Sequence, residues 1–153
     1  MHTATATAVV TADATSFLDT VDEDVVSRLM TELKSGREEA RGIFRDLLKF
    51  LDLAAKYPKQ LLIPPPLVDE AWHTFIIFTR KYHAYCETHY GKYIHHRPPM
   101  QSEASLDRSQ LLIDGVEATT RLAKQHFGDH LSDNWDYPAV MTWNCGSSTN
   151  DPD

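Results

Sequence analysis

Apolar residues recur at helical spacing through most of the chain. Val25, Val26, Leu29, Met30 and Leu33 fall on one face of a helix expected from about Val21 to Lys34. Thr20 and Glu23 are spaced as a capping box at its start. Ser35 to Glu38 repeats that spacing and opens a second helix with Ile43, Leu47, Phe50, Leu51 and Ala54 on one side. Pro58 disfavours helical geometry in the residue before it, so this helix ends near Tyr57. The run PKQLLIPPP is extended, because proline fixes φ and lacks an amide donor.

A third helix is expected over Leu67–Tyr90, with Pro66 in its first turn and Gly91 as its left-handed stop. A fourth begins near Ser105 or Leu106 and runs to Phe127, where Gly128 ends it. A helical turn at SFLD and a short strand at AVMTW are weaker signals. The fold expected is all-α: a compact four-helix bundle-like domain with a Pro-rich connector and irregular termini. Residues 1–15 read as a disordered Ala/Thr-rich tail, 16–140 as the helical domain, and 141–153 as a flexible polar tail.

Composition narrows the function classes. The 153 residues carry a net charge of -7, with no basic patch for phosphate, so nucleic acid is not an expected partner. No apolar run approaches the length of a membrane span, and the first residues lack the pattern of a signal peptide. Two cysteines, Cys86 and Cys145, do not make a disulfide framework, so the cytoplasm is the expected location. Histidine is the unusual count: five of eight fall between His73 and His96.

That clustering gives the third helix its interest. At about 100° per residue, Asp69, His73, Arg80 and Glu87 share one stripe of an otherwise apolar cylinder. Asp69 and His73, at i and i+4, can point at one atom. The spacing serves metal ligation, and equally a carboxylate that orients an imidazole for general base work. A turn at Gly91 would return His95 or His96 toward the helix. Two imidazoles and a carboxylate suit Zn²⁺ or Fe²⁺ with open positions for water or substrate. The candidate ligands are therefore Asp69, His73, His95 and His96; Arg80 is the candidate for binding an anionic substrate group, and the candidate catalytic residues are His73, Asp69 and Arg80.

Other residues read as structural. Cys86 lies roughly opposite His73 and reads as a small buried hydrophobe, Trp72 and Tyr82 as core, and His83 as a packing or surface residue. His126 and His130 also have i, i+4 spacing, but Gly128 interrupts them.

The stretch from Leu47 to Pro99 resembles the glycine-rich domain-containing protein-like family. The resemblance rests on Asp69, Trp72, His73, Tyr82, Cys86, Gly91, His95 and His96 at their spacings. It implies that the Asp/Trp/His constellation is one unit and assigns that unit no reaction. The chain keeps WNCGSS near its end but no glycine-rich run.

Three functions follow as expectations. The first is a small metal-binding helical protein, in its fuller form a metalloenzyme acting on a small molecule or peptide at the Asp/His site. The second is a metal-free helical module that binds a protein partner. The third is a metal-independent acid/base catalyst of a biosynthetic pathway in which Asp69 orients His73.

Overall fold

The computed structural model describes residues 21–97, 105–139 and 147–148. Among them five α-helices carry the fold: α1 (Glu23–Leu33), α2 (Arg37–Lys56), α3 (Pro66–Ile77), α4 (Thr79–Tyr90) and α5 (Ser105–Phe127). A 3₁₀ turn follows at Asp133–Trp135. Two short strands, β1 (His96–Arg97) and β2 (Ser147–Ser148), pair antiparallel with His96 opposite Ser148. The all-α domain expected from the hydrophobic pattern is the one observed. The tails, SFLD, the Thr20 cap and nearly all of AVMTW lie outside the described residues.

The first two helices start differently from expectation. Asp22 caps α1, its Oδ1 accepting from the amides of Asp24 at 3.0 Å and Val25 at 3.2 Å. A short carboxylate at this position satisfies amides that have no partner within the helix. Gly36, not Ser35, is the N-cap of α2, and it supplies no side-chain bond. Two elements at most one loop apart are then tied by charge: Glu23 on α1 receives both Arg37 and Arg41 of α2.

The core centres on α2. Its buried face carries Ile43, Leu47, Phe50, Leu51 and Ala54, the row that the sequence periodicity marked, and the structure adds Phe44 to it. Phe44 meets Phe75 of α3 edge-on, with ring centroids 5.2 Å apart, and Phe50 meets Trp72 at 5.4 Å. Edge-to-face packing of this kind is favoured by the ring quadrupoles.

The Pro-rich connector is anchored at Ile63. Its amide donates to Thr119 Oγ1 at 2.9 Å, and its carbonyl accepts from Tyr137 Oη at 2.5 Å. Gly115 on α5 lets the helix approach this point: a Cβ there would lie 2.6 Å from Ile63 Cγ1.

The third expected helix is in fact two. Phe78 leaves the helical region at φ -82°, ψ 62°, and its amide bonds to the Phe75 carbonyl, three residues back. Helical geometry resumes at Thr79. The break allows a contact that a straight helix forbids. Ten residues of straight helix span about 15 Å, yet Trp72 Nε1 donates to Tyr82 Oη at 2.9 Å. Phe75 also packs edge-on against Tyr82, at 5.1 Å. Burial of three aromatic side chains outweighs the few backbone bonds lost at the corner.

Candidate metal centre

The site begins in the first turn of α3. Pro66 opens the helix, and the Asp69 amide donates to the Pro65 carbonyl at 2.8 Å. This places the Asp69 carboxylate near the positive end of the helix dipole. His73 follows one turn later, with its Nε2 at 3.8 Å from Asp69 Oδ2. The third member comes from β1: His96 Nε2 lies 2.8 Å from Asp69 Oδ1. One ligand atom from each of Asp69, His73 and His96 falls within 4.8 Å of the others.

The cluster is enclosed on one side and open on the other. The side chains of Asp69 and His96 are 6% and 8% exposed, whereas His73 is 49% exposed. The His96 ring touches Trp72 at 4.3 Å and His73 at 4.5 Å between centroids. His96 is thus held by an indole, an imidazole and a carboxylate.

The two adjacent histidines part company. Side chains alternate along an extended segment. Ile94 is fully buried, His95 is exposed, and His96 turns inward beside Asp69. His95 instead lies 4.8 Å from the Tyr93 ring and is outside the cluster.

Arg80 is also placed elsewhere. The break at Phe78 ends the stripe that a continuous helix would have run from Asp69 to Glu87. Arg80 is exposed on α4 and lines a hollow of about 400 Å³ with Thr79, His83 and Tyr93. Cys86 is a buried free thiol on the inner face of α4, and burial pushes its pKa up. His126 bonds to Tyr57 Oη at 2.7 Å, away from the three-residue cluster.

A small network missed by sequence periodicity backs the site. Tyr82 Oη accepts from Trp72 and donates to the Ile94 carbonyl at 2.5 Å. Burial raises the Tyr82 phenol far above its usual range, so it stays a donor. No hydrophobic period marks this link, because it joins residues across a corner and a turn.

A family model described as UCP032817-like matches residues 15–118. The chain belongs to the UCP032817-like family. This corrects the resemblance to the glycine-rich domain-containing protein-like family, which is not the family matched. Of the residues behind that resemblance, Asp69, His73 and His96 form the cluster, Trp72 and Tyr82 are core, Cys86 is buried, Gly91 is the left-handed cap of α4 at φ 65°, and His95 is exposed outside the cluster. With 6 glycines in 153 residues, the UCP032817-like chain also has no glycine-rich segment. No curated protein and no solved structure matches it. Among the described residues, no helix is long and apolar enough to cross a membrane.

The donor set itself fits a cation. Two imidazole nitrogens and a carboxylate oxygen suit Zn²⁺ and Fe²⁺. Ligand bonds of about 2.0–2.2 Å require donors roughly 3–3.5 Å apart. The Asp69–His96 pair is already at 2.8 Å and the Asp69–His73 pair at 3.8 Å. Binding would draw the half-exposed His73 side chain inward to make up the remainder.

Proposed function

We propose that this UCP032817-like protein binds one divalent ion, Zn²⁺ or Fe²⁺, through Asp69, His73 and His96. The observation that carries the reading is the convergence of three donors within 4.8 Å, with the Asp69 and His96 side chains 6% and 8% exposed. Three protein ligands leave coordination positions open, and the exposed side of His73 is where water or a small substrate would enter. When bound there, such an ion supplies a Lewis acid that polarises a carbonyl or acidifies water. The chain's own part is to hold Asp69 and His96 in one geometry and to keep water from their buried side. In its fuller form the reading is a metalloenzyme acting on a small molecule or peptide.

Elemental analysis of untagged protein tests the proposal directly. The expected result is close to one ion per chain, lost in His73→Ala. A metal-free wild type whose melting temperature is unmoved by added Zn²⁺ or Fe²⁺ overturns it.

A second reading draws on the 2.8 Å bond between Asp69 and His96. That bond alone would orient His96 as a metal-independent base, a role that the sequence pattern had pointed toward His73. It requires activity that survives chelation, which the metal reading does not allow.

A further inference from the structure

We infer that Tyr82 is a positioning residue of this site: it fixes the register in which the chain presents His96, and not its neighbour His95, to Asp69. The inference rests on the reading of the Asp69–His96 pair as the fixed half of the site.

The need for such a residue follows from the sequence. His95 and His96 are chemically identical and adjacent. A slip of one residue in an extended segment turns every side chain to the opposite face. His95 would then enter the cluster and His96 would face solvent. Among the described residues, the strand pairing of β1 covers His96 and Arg97, and two residues specify register weakly.

Tyr82 supplies the missing constraint. Its hydroxyl donates to the Ile94 carbonyl at 2.5 Å, two residues before His96 and on the same face of the extended segment. The hydroxyl is itself aimed by Trp72 Nε1 at 2.9 Å. Trp72 also touches the His96 ring, so one indole lies against both the clamp and the residue clamped. Tyr82 and Ile94 are both fully buried, which makes the bond costly to leave unmade. A slip would strand the Ile94 carbonyl and the Tyr82 hydroxyl together.

The test separates this role from general stabilisation. Imidazole ¹H–¹⁵N spectra of the metal-free full chain would be recorded for wild type, Tyr82→Phe and Leu122→Ala. The last removes a buried side chain on α5 and serves as a control for lost stability. The His96 signals are assigned by their loss in His96→Gln. Tyr82→Phe is expected to move the His96 Nε2 signal, and Leu122→Ala to leave it in place. In Co²⁺ titrations Tyr82→Phe is expected to weaken binding about 10- to 100-fold, as changes behind metal ligands do, with Leu122→Ala near wild type.

A His96 signal unchanged in folded Tyr82→Phe overturns the inference. Should that variant not fold, replacing Tyr82 by p-aminophenylalanine keeps the ring and a weaker donor. It is expected to move the same signal part of the way, and no movement again overturns the inference. Failure of wild type to take up Co²⁺ overturns the metal reading alone, since the imidazole signal is read without metal.

Discussion

Asp69 Oδ1 and His96 Nε2 are 2.8 Å apart although 27 residues separate them in sequence, and both side chains are nearly closed to solvent. His73, a single turn from Asp69, is half exposed. The asymmetry separates two effects that are usually mixed. Asp69→Asn should lower both metal affinity and the stability of the metal-free protein, the latter by about 1–3 kcal/mol, because a buried bond to His96 is disturbed. His73→Ala should abolish metal uptake while leaving metal-free stability within about 0.5 kcal/mol. Chemical unfolding of both variants with and without Zn²⁺ checks this. Equal losses of metal-free stability in the two variants would count against the described division of labour.

The acid side of the stability profile should report on Asp22. Burial would raise its carboxyl, but bonds from Lys81 and from the Val25 and Asp24 amides outweigh it and hold the group below its usual value. A lowered folded-state value means that the unfolded chain binds the proton more readily. The stabilisation is therefore present above the ordinary carboxylate range and lost as pH falls through the lowered value. Lys81 contributes with Nζ at 2.9 Å from Asp22 Oδ2. Lys81→Met should be less stable than wild type near neutrality, and the gap should close toward pH ~3, below the ordinary carboxylate value. Urea unfolding at the two pH values measures it; a gap that does not change with pH would refute the assignment.

Gly115→Ala tests the approach of α5 to the connector. Alanine in a helix interior is intrinsically better than glycine by about 1 kcal/mol. Here its methyl would meet Ile63 Cγ1 at 2.6 Å, and the Ile63 backbone is held from both sides by Thr119 and Tyr137. The clash should win, with a net loss of about 1–3 kcal/mol. A melting temperature at or above that of wild type would show that the connector yields instead.

Asp46 makes a separate prediction. This buried carboxylate accepts from Ser132 Oγ at 2.6 Å and Asn134 Nδ2 at 2.9 Å, and so ties the 3₁₀ turn to α2. Asp46→Ala leaves those donors without their acceptor, for an expected loss of about 2 kcal/mol. Trp135, 5% exposed beside this turn, should shift its emission to the red, read against a Trp135→Phe control. Unchanged emission would mean that the turn is held by apolar packing alone.

Periodicity made most of this architecture readable. The faces of α1 and α2 appear in the sequence as rows of apolar residues, and Gly91 and Gly128 mark helix ends by their left-handed backbone. The break at Phe78 is not readable in that way. Apolar and aromatic residues continue on both sides of it, and what selects the corner is a contact between Trp72 and Tyr82 that exists only after folding. The same corner explains the candidate site. Asp69 and His73 stand within one unbroken helix, so their spacing carries over into space, whereas Arg80 lies beyond the break. Choosing between His95 and His96 needed the direction of Ile94, which depends on burial and not on spacing.

All three donors lie within one contiguous stretch from Pro66 to Arg97, and this bears on the order in which the molecule is made. Closing a loop of 27 residues costs about 3 kcal/mol in chain entropy, and the cost grows only logarithmically with length. The surface on which α3 rests belongs to α2, which precedes it in the chain. During synthesis from the N-terminus, Asp69, His73 and His96 therefore all emerge before α5, and the carboxylate–imidazole pair can meet while the last helix is still unmade.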